Sequence, residues 1–292
     1  MKTVTSIAAA IAFVVSGSAL ADNNITYQNQ NGMGNFGFVD QTGPHSYDNL
    51  VNQEQHGEYN TAVSLQAYEH HSTVLQYQDG HSNYANAFQT GGSENVAMSE
   101  QIGMNHSSLT LQLGEEGSFS FHAQEGKENT AWTYQQSGNT NQATILQSSD
   151  YSKATVTQVA SDNSEAMVSQ DGEMNSGDIH QTGGFHRAHM IQGDGGNNDG
   201  DIRQHGFGHD ARMYQEGWYN EADISQAGSH HSATTKQSGQ GNDVYLGQVG
   251  NKHLAEATQI GSHNYSLVSQ VGRYGTAKVH QYGDSNQSYI SQ

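Results

Sequence analysis

Histidine is the residue type here that first invites chemistry: the chain has 17, including the adjacent pairs His70-His71 and His230-His231. Imidazoles can hold zinc, or move protons when a serine and an aspartate stand beside them. Neither use finds its spacing. The sequence contains no His-Glu-x-x-His, EF-hand or calcium-binding glycine-rich nonapeptide pattern. Ser, His and Asp are abundant without a unique grouping, which argues against an enzyme, a metal site and a cofactor. His106, His186, His209, His231 and His253 instead stand where a repeat places Asn. The other reactive group is the carboxamide of Gln and Asn, which carries a donor and an acceptor, so identical amides can satisfy one another when stacked.

Such stacking requires regular spacing. Gln204, Gln215, Gln226, Gln237, Gln248, Gln259, Gln270, Gln281 and Gln292 lie eleven residues apart. Upstream, Gln55, Gln78, Gln101, Gln124, Gln147 and Gln170 step by 23, and Gln66, Gln89, Gln112, Gln135, Gln158 and Gln181 form a second series with the same step. A period near 22 built from two near-equal halves is the mark of a repeat architecture.

The unit reads Gln-x-Gly-x-x-Asn-x-Ala-x-x-x-Gln, as in Gln124, Gly126, Asn129, Ala131, Gln135 and in Gln215, Gly217, Asn220, Ala222, Gln226. Asn, Ala, the residue two further on and Gln alternate, so in an extended chain they share one face. The third of these is mostly small or apolar (Ile145, Val156, Met213, Ile224, Leu246), while Arg212, Asp223, Lys236, Glu256 and Lys278 fall between, facing outward. Asn129, Asn141, Asn175, Asn220, Asn242, Asn264 and Asn286 are the expected asparagine rungs of the ladder. Gly126, Gly138, Gly172, Gly217, Gly239, Gly261 and Gly283 are expected to supply the positive φ of a sharp turn. An eleven-residue period also suits three helical turns, but a glycine in nearly every unit would cost a helix about 1 kcal/mol each. Collagen is excluded by the single proline, Pro44.

From Gln55 to Gln181 the intervals alternate eleven and twelve, so one rung is strand, tight turn, strand, longer turn. The expected fold is all-β: a two-sheet β-solenoid of about twelve rungs of 22 to 23 residues, stacked roughly 4.8 Å apart. Gln30, Gln78 and Gln101 fall in one ladder, and Gln41, Gln66 and Gln89 in the other. The first Gln of the second rung is either Gln53 or Gln55.

Bulk properties agree with this reading. Hydrophobic residues are 33 % and glycines number 34, too lean for a large globular core, yet charged residues are only 13 % and the amides are placed periodically, unlike disordered tracts. There is no cysteine, so stability must come from backbone pairing and side-chain ladders. The net charge of −19 argues against a nucleic-acid partner. Lys2, an apolar run from Ile7 to Val15 and Ala19-Leu20-Ala21 read as a signal peptide over residues 1–21. Residues 22–292 are then one exported repeat domain without a second apolar stretch able to insert in a membrane.

Asn141-x₅-Gln147-x₄-Ser152-x₅-Gln158, Asn264-x₅-Gln270 and Gly275-x₅-Gln281-x₄-Asn286-x₅-Gln292 resemble the curlin repeat of curli fibre subunits, over nearly the whole of residues 22–292. The resemblance implies a secreted bacterial functional amyloid. Such subunits cross the outer membrane through a dedicated curli secretion pore, meet a nucleator subunit and polymerise at the cell surface into adhesive biofilm fibres. Repeat-like sequence already begins at Asn24, where major-type subunits usually carry a short non-repeat segment. The uniform spacing is similar to that of the nucleating minor subunit, but the basic residues common at that subunit's end are sparse, which favours the major type. The rival readings are a nucleator and a monomeric secreted β-solenoid that acts as an adhesin or binds a ligand.

Residues 24–41 and 281–292 are expected to carry the contact between copies, since uncapped end rungs leave unpaired backbone groups and an open, non-closing contact makes a filament. Asp171, Asp194, Asp199 and Asp210 are candidate gatekeepers that delay aggregation during export.

Overall fold

The computed structural model describes residues 23–292; the expected signal peptide at 1–21 lies outside the described residues. The described residues form 24 strands and no helix, arranged as two parallel sheets of twelve. The chain alternates between sheets, so each rung has one strand in each: β1 (Ile25–Met33) and β2 (Phe36–Asp40) make the first, β3 (Leu50–Glu58) and β4 (Thr61–Ala67) the second, and β23 (Thr276–Tyr282) and β24 (Gln287–Ser291) the twelfth. Odd strands form sheet one and even strands sheet two, a twelve-rung β-solenoid.

Alternation along each strand decides which side is buried. In β17 (Asp210–Trp218), Ala211, Met213 and Gln215 are buried while Arg212 and Tyr214 lie on the outer face. Register is in phase from rung to rung, Gln78 opposite Gln101 and Gln101 opposite Gln124, so like residues stack. Two β-bulges, at Val159/Ser161 and Gly193/Gly195, absorb the places where the rung length changes between 23 and 22 residues.

The turns from sheet two to sheet one are longer in the early rungs and pair among themselves. Tyr47, His70, Ser93, Glu116, Asn139 and Asp162 form successive parallel bridges, a narrow third face over rungs 1 to 6. The interior changes along the axis. One apolar cluster holds Val51, Val74, Ala87 and Ala97; a larger one runs from Ala131 to Val279. Between them lie Ser108, Thr110, Ser120 and His122. His122 bridges the sheets, with Nδ1 2.8 Å from Ser108 Oγ and Nε2 2.7 Å from Thr133 Oγ1. Burial holds its pKa down to about 3, so the ring is neutral.

Gly126, Gly217, Gly239, Gly261 and Gly283 have φ of 98–128°, the left-handed range. Gly217, Gly239 and Gly261 also stack on glycines of the next rung, a Cβ at Gly239 standing 1.9 Å from the Gly261 carbonyl oxygen, while a Cβ at Gly126 would meet Ser149 O at 2.7 Å. Gly138 and Gly172 differ from expectation, because their φ is not positive. Close approach alone requires them: a Cβ at Gly138 would lie 1.9 Å from Ser161 O. In both kinds of turn the left-handed residue nearest the Asn position is often not glycine, as at Glu128, Tyr151, Tyr219 and Lys252.

Candidate functional site

The repeated amides lie between the sheets, where an unpaired polar group costs about 1 to 3 kcal/mol. In sheet one, each Gln Nε2 donates to the Oε1 of the next rung: Gln78 to Gln101 at 2.8 Å, Gln101 to Gln124 at 2.9 Å, Gln124 to Gln147 at 2.9 Å and Gln147 to Gln170 at 2.8 Å. The run continues from Gln215 through Gln237 and Gln259 to Gln281 at 2.8–3.2 Å. In sheet two the same bond joins Gln66, Gln89, Gln112, Gln135, Gln158 and Gln181 at 2.8–2.9 Å. It then joins Gln181, Gln204, Gln226, Gln248 and Gln270 at 2.9–3.0 Å, and Gln270 to Gln292 at 3.3 Å. The second Nε2 hydrogen crosses to the facing sheet: Gln101 donates to Tyr84 O at 3.0 Å and Gln170 to Lys153 O at 2.9 Å. Each ladder thus ties rung to rung and sheet to sheet.

The asparagines fall into two columns, one at each line of turns. Asn129, Asn175, Asn220, Asn242, Asn264 and Asn286 stand at the turns from sheet one to sheet two, and Asn141 at the opposite turns. Their bonding is mainly to backbone: Asn129 Oδ1 accepts from Ser152 N at 2.8 Å, Asn141 Oδ1 from Ser164 N at 3.2 Å and Asn175 Oδ1 from Asn198 N at 3.0 Å. From Asn198 to Asn286 the amides also bond directly, as Asn242 Nδ2 does to Asn220 Oδ1 at 3.0 Å.

Several ladder residues carry no plain sequence signal. Gln192 joins Gln170 and Gln215, both at 2.8 Å; it stands eleven residues after Gln181 and twelve before Gln204, off both rulings. Gln55 stands in register with Gln30 and Gln78, while Gln53 belongs to a shorter amide run of Gln28, Gln53 and Gln76, each bond 2.9 Å. Glu69 and Glu115 are buried carboxylates two rungs apart. Glu115 accepts from Ser118 Oγ at 2.7 Å, Asn141 Nδ2 at 3.1 Å and Gly138 N at 2.9 Å, and burial pushes both carboxyls up.

The histidines at Asn positions also bond as the ladder does. His106 Nδ1 accepts from Asn129 N at 3.3 Å. His186, His209, His231 and His253 stack face to face at 4.9–5.1 Å between centroids.

On the outer face of sheet two, Asp178, Asp201 and Asp223 stand in register beside Asp199, Glu221 and Asp243. Burial raises Asp201 to about 6 despite Arg203 beside it. Among the described residues no group of three or more His, Asp or Glu is arranged to hold a metal ion, and no helix is long and apolar enough to cross a membrane.

Four overlapping segments, residues 195–228, 220–250, 231–261 and 254–283, match the Curlin associated repeat. No curated protein matches the chain.

Proposed function

We propose that this chain, which belongs to the curlin-repeat family, is a secreted structural subunit that polymerises end to end into curli-type fibres for adhesion and biofilm matrix. One observation carries the reading: both glutamine ladders run unbroken through the described rungs, so the same bonds that join rungs within a copy can join copies. Among the described residues, β1 and β2 at one end of the stack and β23 and β24 at the other each have a strand neighbour on one side only. Such edges are templates for another chain, and residues 24–41 and 281–292 are the proposed contact.

In this proposal residues 1–21 are the export leader, a curli secretion pore and a nucleator subunit are the partners, and the chain is a major-type subunit at the cell surface. In this reading the chain is a structural protein whose repeated glutamine amides are spent on one another. The test is to incubate residues 22–292 at neutral pH and follow thioflavin T fluorescence with electron microscopy. Fibres within days support the proposal; material that stays monomeric favours the solenoid adhesin. Deleting residues 281–292 should slow growth strongly, and unchanged growth would remove that rung from the contact.

A further inference from the structure

His186, His209, His231 and His253 occupy one column at the turns from sheet two to sheet one, rungs 7 to 10, and are 1–3 % exposed. Each ring is bonded at both nitrogens. Nε2 of His186, His209, His231 and His253 donates to the carbonyl four residues back, on Thr182, His205, Ala227 and Val249, at 3.0–3.1 Å. Nδ1 faces a backbone N–H of the following rung: His209 N to His186 at 3.4 Å, His231 N to His209 at 3.2 Å, His253 N to His231 at 3.1 Å and Gly275 N to His253 at 2.9 Å. An N–H can only donate, so Nδ1 must accept and each imidazole must be neutral. A proton on any Nδ1 would set two donors against each other, break the bond to the next rung and place a charge against a stacked neighbour.

The surroundings offer that charge no relief. Burial is the largest influence on the column, the carbonyls bonded to Nε2 oppose it in part, and the charged groups acting on it are other histidines: His205 on His186; His186, His231 and His230 on His209; His253 and His230 on His231. Of the charged groups beside it, Arg187 is taken by Glu165 and Asp210 by Arg212, while Lys252 lies over the Tyr274 ring.

We propose that this histidine column is an acid-labile seam, which holds rungs 7 to 10 closed near neutral pH and opens their turns on mild acidification while rung 6, which holds no histidine, stays paired.

The sign follows from linkage. Burial lowers the pKa of His186, His209 and His231, His209 to about 4, from an ordinary 6.5. The open state therefore takes up protons first, and stability present above pH 6.5 is lost as pH falls toward 4. For His209 alone, opening at pH 4.5 is favoured roughly sixtyfold over opening at pH 7. The column position in rungs 1, 3 and 5 is Asn49, Asn95 and Asn141, which do not titrate.

The experiment is hydrogen exchange with mass spectrometry on folded residues 22–292 at pH 7 and pH 4.5, corrected for intrinsic exchange. It compares the natural chain with one carrying His186→Asn, His209→Asn, His231→Asn and His253→Asn. Expected is a loss of protection of about a hundredfold or more in peptides spanning 183–256 of the natural chain only, with 142–162, which holds no histidine, unchanged. Equal loss in both chains, or none in the natural chain, overturns the proposal. Should the fourfold variant not fold, imidazole ¹⁵N spectra of the natural chain decide: rings held as the Nε2–H tautomer below pH 6 support the seam, and titration of all four near 6.5 overturns it. Both readouts lie within a rung and do not depend on polymerisation.

Discussion

From Leu50 to Met104 the space between the two glutamine ladders is filled by Gln53, Ser64, Gln76, Ala87 and Ser99; from Ile179 to Val268 the same positions hold Ile179, Met190, Ile202, Met213, Ile224, Leu246, Ala257 and Val268, with Thr235 the one polar residue. The backbone is the same in both regions, with the same parallel register and the same stacked glycines. The early region closes its long turns with a third short face and the buried Glu69 and Glu115, whereas the later region has tighter turns and stacked histidines. The family match at 195–283 begins in the second region and runs past its end, with none of it in the first. What the two share is the ladder and the glycine stack; what fills the interior varies, and most but not all of its polar atoms find a partner.

The shared scaffold gives the largest expected effect. Gly80→Ala in the early region and Gly239→Ala in the later one each force a Cβ to 1.9 Å from the next rung's carbonyl at a left-handed φ. Each should cost about 3 kcal/mol or more, measured as loss of exchange protection in the rung and its neighbours. Gly114→Ala, with nothing within 4 Å, should cost only about 1 to 2 kcal/mol. Unequal losses at Gly80 and Gly239 would break the claim of a common scaffold.

Interior substitutions come next. Ile202→Ala should cost about 2 to 5 kcal/mol through lost burial and a cavity. His122→Leu strands the Ser108 and Thr133 hydroxyls and should cost a similar amount, but combining it with Ser108→Ala and Thr133→Val should recover most of the loss. Denaturant midpoints of the unpolymerised chain test both; no recovery would mean that His122 does more than satisfy its partners.

A matched pair sharpens the contrast further. Thr110 Oγ1 lies 3.2 Å from Ser120 Oγ, while the buried Thr235 Oγ1 has no hydrogen-bond partner. Thr110→Val should destabilise and Thr235→Val stabilise, each by about 1 kcal/mol. Two changes of the same sign in thermal unfolding would erase the distinction between the interiors.

The smallest effect concerns pH. Glu69 and Glu115 are raised by burial, so the folded state takes up their protons first. Their contribution is complete below an ordinary carboxylate value near 4.5 and is lost as pH rises through the folded one. Exchange in turns 69–72 and 115–118 should slow slightly between pH 7 and 5, the direction opposite to that of the later turns.

Much of this fold is legible in the sequence because side-chain alternation and register express the same repeat: Asn129, Ala131, Thr133 and Gln135 are all buried, and the rungs stack in phase. Legibility fails where a bulge changes the step. Gln192 escapes the spacing because rung 7 closes its turn with one residue fewer than rung 6, whose extra residue bulges at Ala160. Glu69 and Glu115 carry no periodic signal because each needs a glycine, Gly92 or Gly138, in the rung that follows. The histidines are readable as asparagine substitutes, but their stacking depends on four consecutive rungs making the same replacement.

The glutamine bonds all point the same way along the axis, from Nε2 of one rung to Oε1 of the next. Any stack built from such rungs, cut wherever one likes, shows amide hydrogens on one tip and amide oxygens on the other. A fibre of these subunits therefore has a heading. Its two tips are different chemical surfaces, and they should grow at different rates and answer to different stoppers: a molecule rich in acceptors would block one tip, and one rich in donors the other.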